Sequence, residues 1–199
     1  MITEPDSRQR IIASARDLIY SRSYADVGVA EICEQAAVKK GSFYHFFPSK
    51  QELSLAVIDD MRTLMEDQIL IPAFARDIPP LQRLQRFVDN LYEFQRGTAG
   101  RLLGCPFGNL ALEMATSDES IRRKLAEVFA GIQARFEHVL DEALSAGEIE
   151  SSIDRPATAQ AMLAYFEGVL MMAKTANDPE IIRKLASAFI QIRIPRMAG

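Results

Sequence analysis

The sequence predicts an all-α fold in which a small N-terminal helical domain is followed by a larger helical domain. Apolar residues recur at helical spacing along the chain, and proline, glycine and capping residues divide it into about nine helices. No run shows the two-residue alternation and β-branched enrichment of a strand. The 199 residues are 48% apolar, which is enough to bury a substantial core.

The first helix is predicted from about residue 7 to residue 22. Asp6 or Ser7 can accept hydrogen bonds from its free N-terminal amides, while Ile11, Ala15, Leu18 and Ile19 fall on one face. We therefore expect an amphipathic helix that supports the rest of the small domain.

Two short helices follow, with a tight turn between them. The first spans about residues 29–36, the second spans residues 40–46, and Pro48 closes the unit. Two helices joined by such a turn are typical of a helix-turn-helix. Residues 1–49 are therefore predicted to form a DNA-binding domain, and residues 50–199 a regulatory domain.

The larger domain is expected to contain the remaining helices. Aspartate followed by proline marks the starts of the last two, because an acid beside a first-turn proline is a typical helix start. The predicted helices run from about Lys50 to Phe74 with a disturbance at Pro72, from Leu81 to a break at Gly97–Gly100, from Pro106 to Ala115, from Ser117 or Asp118 to about Ser145, from about Arg155 to Thr175, and from Pro179 towards a frayed tail at Pro195–Gly199.

The second half of the penultimate helix is apolar nearly all round, with Phe166, Val169, Leu170 and Met172 among its residues. A helix that faces one core needs only a single apolar stripe. We therefore expect a second buried face, which a homodimer through the last two helices would supply.

Composition argues against several classes of protein. Cys33 and Cys105 lie far apart without CxxC spacing, and the chain has only two histidines, so no metal site or other cofactor is predicted. No run approaches the roughly 20 apolar residues of a membrane helix. The first residues also lack a basic stretch followed by an apolar one, so we expect a cytoplasmic protein without a membrane partner. Cys33 is expected to be a structural core residue.

The net charge of −4 hides an asymmetry along the chain. The first 50 residues carry seven Lys and Arg against six Asp and Glu, a net of +1 that leaves −5 for the rest. Between residues 34 and 52 the only charges are the lysines at 39, 40 and 50. A short, purely cationic window of this kind favours contact with nucleic acid phosphates.

The segment Lys40-Gly41-Ser42-Phe43-Tyr44-His45-Phe46-Phe47 has the features of a recognition helix. Such a helix is short and exposed, and its N-terminal end enters the major groove. Gly41 and Ser42 permit close approach to the duplex, while Tyr44 and His45 can reach phosphates or base edges. Periodicity alone is equally consistent with a surface helix that carries solvated lysines and core phenylalanines.

The segment from Tyr24 to Ile32 (YADVGVAEI), together with Val38 to Leu53 (VKKGSFYHFFPSKQEL), closely resembles the N-terminal sequence of the TetR family. The resemblance implies a helical dimer whose three N-terminal helices bind double-stranded operator DNA. It also implies a C-terminal domain that binds an inducer and forms the dimer interface. By position, the implied DNA contacts are Gly28, Ala30, Lys39, Lys40, Ser42, Tyr44, His45 and Lys50.

Two positions depart from the family pattern. Gly28 stands where a hydroxyl residue usually caps the second helix, and Ala37 stands where a glycine usually makes the turn. Glycine caps nearly as well as threonine, whereas a positive φ at Ala37 costs about 1 kcal/mol. Neither departure is large enough to exclude the fold.

The second informative segment is Gly104-Cys105-Pro106, at a predicted helix start, where free amides and the helix dipole favour a thiolate. A Gly-Cys pair followed by a helix with a Glu resembles the TetR branch that includes the repressor of N-ethylmaleimide reductase. The resemblance implies sensing of electrophiles and reactive chlorine through Cys105, together with Lys174 in the penultimate helix. The alternative is a packing cysteine beside a small-molecule pocket.

An inducer pocket is expected among apolar and aromatic residues, although the same residues also suit a plain core. Asn109 and Glu113 are polar in this setting, and each either contacts a polar group of the ligand or satisfies neighbouring backbone. The candidate lining residues are Phe87, Leu91, Tyr92, Phe94, Phe107, Asn109, Glu113, Met114, Met162, Tyr165, Phe166 and Met172.

Together these features predict a transcriptional repressor, not an enzyme, that leaves its operator when a small-molecule inducer binds or Cys105 is modified. Two other classes remain open. One is a redox-active thiol enzyme with Cys105 as nucleophile, although the sequence signals no Cys/His pairing. The other is a helical protein-interaction module that does not bind DNA.

Overall fold

The structure is a computed structural model that describes residues 6–96 and 100–196. Within these ranges the regular elements are all helical, and one isolated β-bridge is present. The all-α class is therefore confirmed. The chain folds as two compact units, the first made of Met1–Leu64 and Pro106–Ala126, the second of Met65–Cys105 and Glu127–Gly199. This division does not follow the predicted boundary between residues 49 and 50.

The number of helices agrees with the prediction. Since α4, a π-helical segment and the short α5 form one continuous helix, the described residues contain nine. The bounds are α1 (Ser7–Ser21), α2 (Val29–Gln35), α3 (Lys40–Phe46), α4 (Lys50–Met65), the π-helical segment (Glu66–Leu70), α5 (Ile71–Ala73), α6 (Pro80–Arg96), α7 (Pro106–Met114), α8 (Glu119–Ser145), α9 (Arg155–Ala176) and α10 (Glu180–Gln191).

In the first unit, α1 packs against both α2 and α3. Its predicted apolar face is largely buried: Ile11 and Ala15 have no exposed surface and Ile19 is buried, while Leu18 is only partly buried. The Asp6 side chain accepts a hydrogen bond from the Gln9 amide at 2.8 Å, as a helix cap does. The predicted role of α1 as an amphipathic support is confirmed.

The disturbance predicted at Pro72 takes the form of a wider helical turn. Proline has no N–H, and its ring collides with the carbonyl four residues earlier, which here belongs to Gln68. The helix widens just before the proline, where the Ile71 amide donates to the Glu66 carbonyl five residues back. The boundary between the two units, at Leu64 and Met65, lies beside this segment.

The second unit is built around a cluster of phenylalanines. Their ring centroids lie 5.1–6.2 Å apart, mostly in edge-on or tilted pairs. Helices α6 and α9 both pack against α10. The cluster consists of Phe74, Phe87, Phe136, Phe166 and Phe189.

Aspartate side chains cap one helix start in each unit, and the cap at Asp154 is one that the sequence predicted. Asp118 Oδ1 accepts hydrogen bonds from the Ser120 and Ile121 amides at 3.0 Å, at the start of α8. Asp154 accepts from the Ala157 amide at 3.0 Å, at the start of α9. Both acids satisfy amides that have no partner inside the helix.

The predicted frayed tail is wrong for the residues that can be described. The Arg196 amide donates to the Ser152 carbonyl at 2.9 Å, the Asp154 amide donates to the Ile194 carbonyl at 2.8 Å, and Pro195 forms the β-bridge with Ile153. The backbone there is held by the loop before α9. The rest of the tail, most of the predicted break at Gly97–Gly100, and the first five residues lie outside the described residues.

Candidate DNA-binding and sensing sites

Helix α3 is attached to the first unit by its phenylalanines and presents its polar residues to solvent. Phe43 is completely buried and Phe47 is 3% exposed, whereas Lys39, Lys40, Ser42, Tyr44 and His45 are all exposed. In the part of the chain that can be described, no acidic side chain forms an ion pair with either lysine. The helix therefore offers an exposed face with a cationic N-terminal end.

The turn between α2 and α3 has the expected left-handed residue. Ala37 has a φ of 51°, and its amide and that of Val38 donate to the Glu34 and Cys33 carbonyls at 3.1 and 3.0 Å. This pair of bonds is the Schellman arrangement, in which glycine is the usual left-handed residue. The turn is also braced by Arg10 of α1, whose Nε donates to the Ala36 carbonyl at 3.1 Å.

The start of α2 leaves its first amides accessible. Gly28 is the N-cap residue and, as predicted, provides no side-chain cap, and both Gly28 and Ala30 are exposed. Open space surrounds the position that a Cβ would occupy on Gly28. Free amides at a helix start suit a backbone phosphate.

Lys50 is bonded to the turn between α1 and α2. Its ammonium donates to the Tyr24 carbonyl and lies 4.0 Å from the centroid of the Tyr24 ring. Burial lowers the pKa of Lys50, an effect opposed by the nearby carboxylates of Glu113 and Asp26. In this structure Lys50 therefore holds the turn between α1 and α2.

Glu113 of α7 holds the same turn from another side. Its two carboxylate oxygens accept hydrogen bonds from the consecutive amides of Tyr24 and Ala25, at 2.8 and 2.7 Å. Glu113 was expected either to contact a polar group of a ligand or to accept hydrogen bonds from nearby backbone amides, and in the structure it does the second. We call the contacts of Glu113 and Lys50 with this turn the turn clamp.

Further polar contacts connect α4 with the start of α8 within the first unit. Gln51 Nε2 donates to Asp118 Oδ2 at 2.7 Å, and Lys124 Nζ lies 2.7 Å from Asp59 Oδ1. The turn clamp and these two pairs explain why residues 106–126 belong to the same compact unit as the helix-turn-helix.

Cys105 directly precedes α7, and its thiol is half-buried. The thiol hydrogen-bonds to the carboxylate of Glu167 on α9. Burial raises the pKa of Glu167, and the bond from Cys105 opposes that rise. Lys174 is exposed, two helical turns further along α9. The buried Cys33, by contrast, faces the core of the first unit, and burial raises the pKa of its thiol.

The predicted pocket residues fall in both units. Those in the second unit belong largely to its core, and two tyrosine hydroxyls among them donate hydrogen bonds within that unit. Tyr92 Oη donates to Glu180, and Tyr165 Oη donates to the Leu185 carbonyl at 3.2 Å. Their role as a ligand pocket stays a prediction. Phe87, Leu91, Tyr92, Met162 and Phe166 are buried, and Phe94 and Tyr165 are partly buried.

The other predicted pocket residues have mixed positions. Phe107 of α7 is buried, while Asn109 and Met114 of the same helix are partly buried. Met172 of α9 is more than half exposed. These side chains do not share one environment, so their grouping also stays a prediction.

Sequence reasoning missed Glu167 and the partners of Glu113. The signal for Glu167 was present, because it is the only charged residue between Tyr165 and Ala173, in an otherwise apolar part of α9. The bond between Glu113 and Tyr24 spans 89 positions, and no local pattern predicts it.

Residues 6–96 and 100–196 contain neither a metal site nor a membrane-spanning helix. No group of three or more His, Cys, Asp and Glu side chains there is placed to hold a metal ion. No described helix combines the length and apolar character needed to cross a bilayer.

An exposed, cationic helix-turn-helix joined to a larger helical domain defines a DNA-binding regulator. Residues 11–57 match the family model of bacterial regulatory proteins of the tetR family, and residues 80–189 match that of the tetracyclin repressor-like C-terminal domain. The chain belongs to the TetR family of transcriptional regulators, whose members bind operator DNA and act as dimers.

Three relatives place the chain within the family. The transcriptional regulator AcuR of Cereibacter sphaeroides is 32% identical over 92% of this chain and 83% of its own length. A TetR regulatory protein from Rhodobacter sphaeroides, of known crystal structure, is 31% identical with a TM-score of 0.86, covering 94% of this chain and 99% of its own. The repressor NemR of Escherichia coli is 24% identical over 89% of both chains.

Proposed function

We propose that this regulator is a homodimeric repressor that blocks transcription in the cytoplasm by binding double-stranded operator DNA through α3. The observation that carries the proposal is the exposed face of α3, which begins with Lys39 and Lys40 and rests on the buried Phe43. Ser42, Tyr44 and His45 are the proposed base or phosphate contacts. Gly28 and Ala30, at the start of α2, are proposed to receive a backbone phosphate.

Lys50 contributes indirectly in this proposal. Its ammonium is bonded to the Tyr24 carbonyl, so direct contact with a phosphate would require that bond to break. Lys50 instead positions the turn that precedes α2. Residues 1–49 are proposed to bind the DNA, and residues 50–199 to regulate that binding and supply the dimer contacts.

The dimer interface is proposed to lie on the last two helices, α9 and α10. Met171 and Met172 of α9 are 59% and 53% exposed, although both are large apolar residues. Contact with a second copy would remove this apolar surface from water. Family membership supports the dimer, and the exposed methionines support its location.

The turn clamp gives the regulatory signal a route to DNA. The chain passes from Cys105 directly into α7, and α7 carries Glu113 to the amides of Tyr24 and Ala25. A displacement of α7 would loosen the turn and move the start of α2. The two recognition helices then lose the spacing of about 34 Å that one turn of B-form DNA requires.

Two signals are proposed, a small apolar inducer and an electrophile that modifies Cys105. The Glu167 carboxylate accepts the thiol proton as the sulfur attacks the β-carbon of an α,β-unsaturated carbonyl compound. A C–S bond forms, the C=C double bond becomes single, and the α-carbon receives a proton from Glu167. Lys174 is the second proposed switch residue. Because the relatives are regulators, we propose no catalytic turnover.

Titration with operator DNA from the flanking genomic region tests the repressor. The exchange Tyr44→Ala is expected to weaken binding by about 1–3 kcal/mol, the range for a base or phosphate contact. Arg62→Ala is the control, because Arg62 is an exposed cation on α4 and is not among the proposed DNA contacts. Equal affinities of the two variants and the wild type would contradict the assignment of α3 to DNA.

The two signals are separated by a second experiment. Hypochlorite or a quinone is expected to release the operator from the wild type and not from Cys105→Ser, while the variant keeps its affinity for DNA. An unchanged response in Cys105→Ser would remove Cys105 from the mechanism and leave the repressor assignment intact.

A further inference from the structure

A cleft of about 480 Å³ opens on the second unit, between the end of α5, α6 and the middle of α8. Its volume lies within the range of small-molecule sites. None of the residues predicted for the inducer pocket lines it. We call it the arginine cleft, because Arg76, Arg83 and Arg135 line it together with His138.

The lining of the arginine cleft is cationic. It contains three guanidinium groups, and no acidic residue is among the lining residues. Guanidinium groups present several N–H donors in a planar fork that matches carboxylate and phosphate oxygens. The lining thus favours an anion.

Two of the arginines are fixed in place by groups outside the lining. Arg83 is 7% exposed, and it donates from Nε to the Ile78 carbonyl at 2.9 Å and from Nη1 to Glu142. Arg135 is paired with Glu66. These contacts use only some of the N–H groups of each guanidinium, so the cations are held without being saturated.

Of the three arginines, Arg76 has the ion pair that a ligand can replace most easily. Its Nη2 lies 2.7 Å from Glu142 Oε1 and 2.7 Å from His138 Nε2, and its side chain is 66% exposed. An ion pair this exposed contributes little stability. A ligand anion can therefore replace Glu142 at Arg76, since Arg83 keeps Glu142 neutralised.

One wall of the arginine cleft is apolar. The Phe74 ring lines it and stacks at 5.8 Å on Phe87 of the aromatic core, and Val139 and Ala134 extend this surface. Apart from its chain neighbours and the nearby backbone of α8, nothing lies within 4 Å of the position that a Cβ would take on Gly131, so space remains beside α8. A planar ring would pack against Phe74.

We propose that the arginine cleft binds a small organic anion, a carboxylate or phosphate group attached to an aromatic ring. The anion accepts hydrogen bonds from Arg76 and Arg135, and the ring lies against Phe74. This site is separate from Cys105, and the proposal does not rest on the repressor function.

Calorimetric titration of the full-length protein without DNA tests the proposal, with benzoate and phenyl phosphate as probes and inorganic phosphate as the probe without a ring. We expect saturable binding of at least one ring-bearing probe, weakened about tenfold or more in Arg76→Ala and in Arg135→Ala. Arg123→Ala is the matched control, because Arg123 is, like Arg135, an arginine of α8 with an acidic partner, and it does not line the cleft. The control is expected to bind like the wild type.

Three results would overturn the proposal. The first is no saturable binding of either ring-bearing probe up to about 10 mM, and the second is unchanged affinity in both alanine variants. The third is inorganic phosphate binding as tightly as phenyl phosphate, which would remove the ring from the ligand. Arg76→Lys keeps the charge and loses the planar fork, so weaker binding by a variant that melts like the wild type excludes misfolding as the cause.

Discussion

Replacement of Glu113 by alanine tests the turn clamp. The exchange removes both oxygens that accept the Tyr24 and Ala25 amides. Hydrogen bonds to charged groups contribute roughly 1.5–3 kcal/mol when shielded, but these amides are partly or fully exposed and regain water, so we take about 1 kcal/mol for each. The free energy that holds the turn then falls by about 2 kcal/mol, which is a factor of about 30.

Two measurements follow from this magnitude. The melting temperature is expected to fall by about 4–8 °C, and the operator dissociation constant, measured well below melting, to rise by up to about 30-fold. Glu127→Ala is the control, because Glu127 is an exposed acid of α8. Both variants lose one negative charge, which by itself strengthens binding to DNA, so only loss of the clamp weakens it.

The outcomes discriminate between roles for Glu113. A lower melting temperature with unchanged operator affinity would show that the clamp stabilises the fold without setting the position of α2. Equal melting temperature and affinity in Glu113→Ala and Glu127→Ala would show that the clamp carries no free energy, and would refute the reasoning.

Three other predictions concern single residues. Ala37→Gly is expected to raise the free energy of unfolding by up to about 1 kcal/mol in denaturant titrations, because glycine adopts a φ of 51° without strain, and a loss of stability would contradict the assigned turn. Lys40→Ala is expected to reduce the slope of log affinity against log salt concentration by about 0.9, the value for one lost phosphate contact. Lys50→Ala is expected to lower the affinity for the operator while keeping nearly the slope of the wild type. Equal changes of slope in the two variants would make Lys50 a direct phosphate contact. Burial raises the pKa of Glu167 in the folded chain above its ordinary 4.5. Between pH 4.5 and this raised pKa the folded chain binds more protons than the unfolded chain, so stability is lost as the pH rises through the interval. Glu167→Gln should therefore gain melting temperature over the wild type as the pH rises above 4.5, and a constant difference would count against the buried carboxylate.

Helices and their ends could be predicted because their causes are local. The apolar face of α1, the caps at Asp6 and Asp154 and the disturbance at Pro72 depend on residues a few positions apart. Even there, Pro72 gave the place of the disturbance and not its form, since a wider turn and a break both accommodate a proline.

The side-chain pairings at the candidate sites could not be predicted, because they join distant parts of the chain. Lys50 looked like a phosphate contact by position, yet its long side chain turns to Tyr24. Glu167 is distant from Cys105 in the sequence, and the two side chains meet only in the folded chain. Exposed residues such as Tyr44 were easier, because the buried Phe43 beside them fixes which face is free.

The turn clamp also determines where this protein can be cut and joined. A chimaeric regulator joins the DNA-binding domain of one protein to the regulatory domain of another. The end of the helix-turn-helix motif in the sequence suggests a junction after residue 49. Such a chimaera would meet Tyr24 and Ala25 with a foreign helix in place of α7. A chimaera that includes residues 106–126 together with the N-terminal segment would keep the native contacts between α7 and the DNA-binding domain.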